Sequence, residues 1–323
     1  MKLRHLLPTA IASLAANAGE PLSLTHTIPL PGVHGRLDHF ACDAAGQKLI
    51  VAALGNNTGE VIDLADNKHL HTITGLRKPA GALMLTEPRR FYFANGDDGT
   101  FRSFDATTNI PASQLAGLDD ADNVRFDATA KLIYIGYGEG ALAVTDPATS
   151  KLLHSIPLPA HPESFRLETK GSRIFVNVPG KRQIAVVDRE QHKVVATWQM
   201  GKWQANFPMA LDEANHRLFI GCRNPARLVI FDTERGVPVA DLEISGDTDD
   251  LFYDAKRQRI YLSCGEGFLD VIRQTTADHY ERSAKIATRV GARTSYFSQE
   301  LDRLYLAVPE RAGQGAELRV YQP

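Results

Sequence analysis

The sequence predicts an all-β fold, a seven-bladed β-propeller with four antiparallel strands per blade, and three observations lead to this class. The first is a unit of four short strand-like segments separated by turn-forming residues, which begins at residue 37 and returns six more times. The second is a basic residue followed by an apolar one at the start of every second strand. These basic residues are Lys48, Arg90, Lys131, Arg173, Arg217, Arg259 and Arg303. Their spacings of 42, 41, 42, 44, 42 and 44 residues are typical of propeller blades rather than of helical solenoids.

The third observation concerns how the ring closes. The last unit contains three strand-like segments, at 294–297, 303–308 and 317–321, and the chain ends at Pro323 without a fourth. Residues 22–30 resemble the fourth strands of earlier units, such as 154–158. Propellers commonly complete one blade from both ends of the chain. We therefore expect residues 22–30 to close the seventh blade.

In the first unit, the four elements follow from residue type. Residues 37–42 form a short apolar run that is closed by Asp43, and the turn 44–47 leads into the branched and small apolar residues of 48–54. The segment 55–59 consists of turn formers, residues 60–64 alternate between polar and apolar, and the turn 66–68 leads into the fourth strand. One unit is therefore a four-stranded meander.

The repeats resemble the YVTN-type propellers, in particular the bacterial YncE-like family of the WD40/YVTN repeat-like superfamily. The resemblance lies in second strands such as 217–221 (RLFIG), 131–136 (KLIYIG) and 303–307 (RLYLA), and in third strands such as 61–64 (VIDL) and 186–189 (VVDR). It implies the fold. It does not select one activity, because the scaffold carries lactonases, lyases, redox partners and binding modules.

The first 18 residues are typical of a signal peptide. Lys2 and Arg4 give a basic start, an apolar stretch follows, and Ala16-Asn17-Ala18 matches a small-residue cleavage site. The apolar stretch is too short to span a bilayer as a helix. We expect a single propeller domain over 19–323, located in the periplasm or secreted, with no membrane segment after cleavage.

Composition narrows the range of partners. The formal net charge of −2 becomes about −4 when Lys2 and Arg4 are removed, and no basic stripe interleaved with aromatic residues is present. This argues against nucleic acid as a ligand. Of the three cysteines, Cys222 and Cys264 occupy equivalent positions in adjacent blades, which are usually too far apart for a disulfide. We expect three buried free thiols and a monomeric protein.

Polar residues cluster at one level of the predicted first strands, which line the central channel of a propeller. The seven strands were aligned on the turn residues that end them, namely Asp43, Thr86, Asp127, Glu168, Asp212, Asp254 and Ser298. Five positions earlier stand Asp38, Gly81, Asp122, Glu163, Phe207, Asp249 and Arg293. The next position holds His39, Ala82, Asn123, Ser164, Pro208, Asp250 and Thr294. The loops that enter these strands add Arg36, Lys78, Asp119, Asp120, His161, Asn206 and Asp247.

The electrostatic repulsion between the acids of this ring must be offset. Two carboxylates ~5 Å apart repel by roughly 3 kcal/mol at an effective dielectric constant of ~20. Ion pairs with Arg36 and Arg293, with help from Arg125 and Arg166, raised pKa values, or a bound cation would each relieve that repulsion. The proposed cation ligands are Asp122, Asn123, Glu163 and Asp249, and oxygen donors favour Ca²⁺ or Mg²⁺ over Zn²⁺ or Cu²⁺. The alternative is a polar ring that only fills the channel with ion pairs and water.

Two functions are compatible with the ring. In the first, an exported propeller binds a small polar ligand or a divalent cation, or docks a protein partner, and its ligand-binding residues are Arg36, His161, Ser164, Asn206 and Asp250. In the second, a metal-assisted hydrolase or lyase, similar to lactonases of the wider propeller group, uses Asp38 or His39 as the general base. Arg293 would then stabilise an oxyanion.

Overall fold

Strands make up almost all of the regular structure in the computed structural model, which describes residues 21–323. They form seven four-stranded antiparallel sheets, and the first strand of each sheet contacts the first strand of the next around a central channel. The predicted seven-bladed β-propeller is thus confirmed. The predicted signal peptide, residues 1–18, lies outside the described residues.

The strands follow the predicted units. The chain begins with β1 (Ser23–Pro29) and then forms blade one from β2 (Phe40–Asp43), β3 (Lys48–Ala53), β4 (Thr58–Asp63) and β5 (Lys68–Ile73). Blade two consists of β6 (Pro79–Leu85), β7 (Arg90–Asn95), β8 (Thr100–Asp105) and β9 (Pro111–Leu115). Blade three consists of β10 (Val124–Asp127), β11 (Leu132–Tyr137), β12 (Ala141–Thr145) and β13 (Leu152–Pro157). Blade four consists of β14 (Phe165–Leu167), β15 (Arg173–Val178), β16 (Gln183–Asp188) and β17 (Lys193–Gln199).

The remaining three blades repeat this order. Blade five consists of β18 (Gln204–Asp212), β19 (Arg217–Asn224), β20 (Ala226–Asp232) and β21 (Val237–Glu243). Blade six consists of β22 (Thr248–Asp254), β23 (Arg259–Cys264), β24 (Phe268–Thr276) and β25 (His279–Ala287). Blade seven contains β26 (Ser295–Ser298), β27 (Arg303–Val308) and β28 (Glu317–Gln322). Short 3₁₀ turns occur at Leu54–Asn56, Pro179–Lys181 and Glu213–Asn215.

The ring closes as predicted. Strand β1 pairs antiparallel with β28 as the outer strand of blade seven, with Ile28 opposite Leu318 and Ser23 opposite Gln322. Ile28 is completely buried and packs with Leu318 in a cluster that also contains residues of blade one. Both ends of the described chain therefore form strands of blade seven. This blade packs against blade one, which closes the ring.

The core is divided among the blade interfaces. Seven hydrophobic clusters each combine residues from two neighbouring blades, and the second strands are buried along almost their full length. Such a strand has a neighbouring blade on both faces, which explains its continuous apolar run. Outer strands such as β5 and β13 are mostly exposed. Removing apolar surface from water at these seven interfaces is the main force that holds the ring together.

Aspartates at the ends of the third strands fix the turns to the fourth. In blade four, Asp188 Oδ1 accepts hydrogen bonds from the backbone N–H groups of Glu190 (2.9 Å) and Gln191 (2.8 Å). Four other blades carry the same arrangement, at Asp63, Asp105, Asp146 and Asp232. A carboxylate that satisfies two turn N–H groups sets the length and register of the hairpin. These residues therefore serve the fold.

The three cysteines are free thiols. Cys222 and Cys264 are completely buried, as expected, whereas Cys42 is only half-buried and lines the channel. Among the described residues, no helix has the length and apolar character needed to cross a membrane.

Candidate functional site

The predicted polar ring surrounds a cavity of about 210 Å³ at one end of the channel, which we call the mouth. Loops that enter the first strands form its wall, together with the turns that follow the second strands. Of the predicted site residues, those that line the mouth are Arg36, Asp38, Asp122, His161, Glu163 and Asp249. The structure thus brings together residues from blades one, three, four and six.

Backbone pairing holds two of these carboxylates in place. Asp122 N donates to Gly136 O (3.0 Å) and Glu163 N donates to Asn177 O (3.0 Å), so each residue extends the pairing of its first strand with its second. The neighbouring strand of blade two comes very close here, because a Cβ on Gly81 would lie 2.0 Å from Asp122 O. Only glycine permits this approach. The position that breaks the polar ring in blade two is therefore required by packing.

Asp249 lies beneath three guanidinium groups. Its Oδ2 is 3.1 Å from Arg36 Nη2 and 3.2 Å from Arg293 Nε, and its Oδ1 is 2.5 Å from Arg223 Nη2. Arg293 also holds Asp247 through Nη1, at 3.0 and 2.9 Å. Burial raises the pKa of Asp249, and the three guanidiniums oppose that rise. The expected pairing of the acids with Arg36 and Arg293 is thus present, and Asp249 is not available as an unpaired metal ligand.

A different group of three could hold an ion. Asp122, His161 and Glu163 each offer a ligand atom, and these atoms lie within 4.8 Å of one another. His161 Nδ1 lies 2.7 Å from Gly138 O. Because a backbone carbonyl can only accept, Nδ1 is the donor in this contact, and Nε2 is the ring nitrogen that could serve as a ligand atom. A carbonyl behind the distal ring nitrogen is the usual support of a metal-binding histidine.

Burial and the closeness of several carboxylates raise the pKa values of two acids at the mouth. Burial, followed by the nearby Asp122 and Asp249, raises the pKa of Glu163 well above its usual value. Burial also raises the pKa of Asp38 to about 7, although His39 and Arg36 oppose the rise. The carboxylates of the mouth therefore repel one another, and a cation would relieve that repulsion.

Asp38 and His39 have contrasting surroundings. Asp38 Oδ2 is 2.8 Å from Arg36 Nη2, while the buried Oδ1 has no hydrogen-bond partner. His39 Nδ1 is 3.4 Å from Asp250 Oδ1. Burial lowers the pKa of His39, but the charge and hydrogen bond of Asp250, then Asp38 and Asp122, raise it to about 10. His39 is therefore protonated at neutral pH, and Asp38 is the better suited of the two candidate bases.

Other predicted residues lie away from the mouth. Asn123 Oδ1 and Ser164 Oγ accept hydrogen bonds from Arg125 Nη2, at 3.2 and 3.3 Å, further along the channel. Asn206 is completely buried between blades four and five, where its Nδ2 donates to Asn177 Oδ1 (2.9 Å). The structure thus separates Asn123 from Asp122, although they are adjacent in the sequence, because successive strand residues point to opposite sides.

Sequence reasoning missed Arg223 at the mouth. This residue lies at the end of β19, and its guanidinium packs over the Phe207 ring at 4.1 Å as well as binding Asp249. The available signal was topological, since the turns after second strands lie at the same end of a propeller as the loops that enter first strands. Only the entry loops were included in the prediction.

Arg125 and Arg166, which were expected to help, form no ion pair with the acids of the mouth. Neither guanidinium lies within 4.0 Å of a carboxylate of residues 21–323, and both line a second cavity further along the channel. Among the described residues, Arg36, Arg223 and Arg293 pair with Asp38, Asp247 and Asp249, and Lys78 pairs with Asp120 (3.3 Å).

Comparisons with known proteins bear on the fold. No protein-family model matches the sequence, and no curated protein matches it. A chain of hydrazine synthase from Kuenenia stuttgartiensis superimposes with a TM-score of 0.78 at 13% identity, covering 91% of this chain and 99% of that one. A chain of the mitotic checkpoint complex superimposes with a TM-score of 0.80 at 12% identity, covering 100% of this chain and 98% of that one. At such low identity these similarities establish the seven-bladed propeller and nothing about chemistry.

Proposed function

We propose that this propeller is a binding protein whose mouth holds a divalent cation through Asp122, His161 and Glu163. The observation that carries the proposal is the convergence of these three side chains, with donor atoms within 4.8 Å. The cavity of about 210 Å³ is small beside the ~300–1,000 Å³ of drug-sized ligand sites. It suits an ion with its waters, or an ion with one very small polar molecule.

The ligand atoms offered by these three residues indicate which kind of ion would bind. Four oxygen ligands would favour Ca²⁺ or Mg²⁺, as expected from the sequence. Asp249 is occupied by arginines and Asn123 by Arg125, and an imidazole stands in their place. Two carboxylates with one imidazole suit Mn²⁺ or Zn²⁺ better than Ca²⁺.

Calorimetric titration of chelator-stripped protein with Mn²⁺, Zn²⁺ and Ca²⁺ tests the proposal. We expect one site per chain, with Mn²⁺ or Zn²⁺ bound more tightly than Ca²⁺. The double variant Asp122→Asn, Glu163→Gln should weaken binding about a hundredfold or more. The matched control is Asp119→Asn, Glu139→Gln, which removes two charges outside the group of three. Equal binding by wild type and the Asp122, Glu163 variant, or no binding by wild type, would refute the site.

A metal-assisted hydrolase or lyase is the second candidate. It is favoured by Asp38, whose buried Oδ1 lacks a hydrogen-bond partner at the mouth. An acid in that position can take a proton from water beside a cation. Arg293 would have to leave Asp247 to stabilise an oxyanion, whereas Arg36 is more exposed and closer to Asp38. Turnover of lactones or esters that is lost in Asp38→Asn while metal affinity is kept would establish this activity.

Family membership and export belong to the same proposal. We infer a YVTN-type, YncE-like propeller from the repeat residues, and export to the periplasm or secretion from residues 1–18. Propellers also occur as parts of protein assemblies, as in the mitotic checkpoint complex, so docking of a protein partner remains part of the binding proposal. Mass spectrometry of the protein recovered from a bacterial host's periplasm tests export, since cleavage after Ala18 predicts a chain that begins at Gly19.

A further inference from the structure

The channel contains a second cavity, of about 480 Å³, which we call the chamber. It extends from His39 and Asp250 in the middle of the channel to Thr169 and Gln299, which are exposed in turns at the end opposite the mouth. Its size falls within the range of small-molecule sites. A ligand could therefore enter the chamber from this end of the channel without passing the mouth.

Residues two positions before the turn residue of each first strand face this chamber. In blades three and four they are Arg125 and Arg166, on neighbouring strands, and in blades one and five they are the small Ala41 and Ala210. These small side chains leave space at the level of the two guanidiniums. Residues one position before the turn residues also form part of the wall. The apolar wall consists of Phe126, Leu167, Leu211, Phe252, Tyr253 and Tyr296.

The two guanidiniums differ in what they bind. Arg125 donates to Asn123 Oδ1 and Ser164 Oγ, and to the backbone carbonyls of Val124 (2.7 Å) and Phe165 (3.2 Å). Arg166 makes one long hydrogen bond, from Nη1 to Phe165 O at 3.4 Å. Most of the donors of Arg166 therefore have no partner among the described residues, in a site partly withdrawn from water.

The acids that face the chamber are already engaged. Asp250 accepts a hydrogen bond from Ser295 N (2.9 Å) and pairs with His39. Glu213 is turned back to the surface, where it accepts hydrogen bonds from Thr169 N (3.0 Å) and Lys170 N (2.9 Å). Asp250 acts on Arg125 and Arg166 only from beyond ion-pairing distance, since no carboxylate of residues 21–323 lies within 4.0 Å of either guanidinium. The inner part of the chamber therefore carries excess positive charge.

We propose that the chamber binds a small organic anion, a carboxylic acid whose carboxylate lies against Arg125 and Arg166 and whose apolar body lies along the aromatic wall. The planar guanidinium fork matches a carboxylate and forms two parallel hydrogen bonds to it. Burial lowers the pKa of Arg125 to about 10, and burial together with Arg125 lowers that of Arg166 well below its usual value. The negative charge of a bound anion would offset the repulsion between these two buried guanidinium groups.

The test is ligand-observed NMR titration with acetate, hexanoate and 4-fluorophenylacetate, beside 2-(4-fluorophenyl)ethanol as the uncharged counterpart. We expect saturable binding of at least one acid, with affinity rising from acetate to the acids with an apolar body, and weaker binding of the alcohol. Phenyl phosphate distinguishes a preference for carboxylate from one for phosphate; tighter binding of the phosphate would overturn the assignment to a carboxylic acid.

Variants separate the chamber from other sites. Arg166→Gln should weaken binding of the acids about tenfold or more, and Arg311→Gln, at an exposed position, should leave it unchanged. The Arg166 side chain makes one long hydrogen bond among the described residues, so this variant is expected to fold. The Asp122→Asn, Glu163→Gln variant should still bind the acid, which keeps this result distinct from the cation site. Failure of all three acids to bind wild type, or full affinity in Arg166→Gln, would overturn the proposal.

Discussion

Arg36 Nη2 lies 3.1 Å from Asp249 Oδ2, although the two residues are 213 positions apart and belong to blades one and six. The contact crosses the mouth of the channel rather than a blade interface. Because Arg293 and Arg223 bind the same carboxylate, Asp249 is the point at which three basic side chains are held together.

Replacing this carboxylate should destabilise the protein. In Asp249→Asn the amide would place a donor against guanidinium donors, and Arg36, Arg223 and Arg293 would lose the carboxylate that they share. We expect the free energy of unfolding to fall by about 2 kcal/mol, measured by urea denaturation. Asp66→Asn, at an exposed pair with Lys68, should change it by less than about 0.5 kcal/mol. Cation affinity should be nearly unchanged in Asp249→Asn, and its complete loss would show that Asp249 is a ligand after all.

Stability should depend on the ionisation of Glu60, a completely buried acid that does not line the mouth. Burial raises its pKa, but hydrogen bonds from His69, Thr58 and Thr72 outweigh burial and lower it below the usual value. A folded pKa below the unfolded one means that the carboxylate stabilises the fold at neutral pH. That stabilisation is lost as the pH falls from the unfolded value of about 4.5 through the folded one.

The corresponding variant is Glu60→Gln. We expect it to lose about 2 kcal/mol of unfolding free energy at pH 7 and to approach wild type in acid, as judged by denaturation at a series of pH values between 3 and 7. Glu139→Gln, at an exposed turn position, serves as the matched control. A difference between Glu60→Gln and wild type that is constant over this range would contradict the assignment.

Closure of the ring can be tested at Ile28. Its side chain is completely buried against the last and first blades, whereas Leu24 on the same strand is 52% exposed. Ile28→Ala should lower the free energy of unfolding by about 2–4 kcal/mol, and Leu24→Ala by less than about 0.5 kcal/mol. Thermal and urea denaturation measure both. Equal effects of the two substitutions would mean that β1 does not close the ring.

The guanidinium of Arg166, which has no ion-pair partner among the described residues, should lower the stability of the folded protein. In Arg166→Met the aliphatic stem is kept while a poorly compensated charge beside Arg125 is removed. We expect the free energy of unfolding to rise by about 1 kcal/mol, whereas Arg311→Met at the surface should have almost no effect. A marked loss of stability in Arg166→Met would instead indicate that the guanidinium has a structural partner in the folded protein.

The repeat pattern determined the architecture. A basic residue at each second-strand start, apolar runs and regular turns specify four strands per unit, because these signals are local and recur in every blade. Residues 22–30 were identified as the closing strand for the same reason. The prediction that Asp38, Asp122, Glu163 and Asp249 share one level was also local, since a common register in equivalent strands places them at one height.

Only the tertiary structure decided how those side chains are partnered. Arg223 reaches Asp249 from a second strand, His161 joins Asp122 and Glu163 from an entry loop, and Arg125 turns away from the acids towards Asn123 and Ser164. Each of these contacts joins side chains of one blade or of two neighbouring blades, and it depends on the distances between those side chains, which register alone does not specify. The sequence by itself determined which residues reach the channel, and the closing of the ring decided which of them are neutralised, which could hold an ion and which remain free for a ligand.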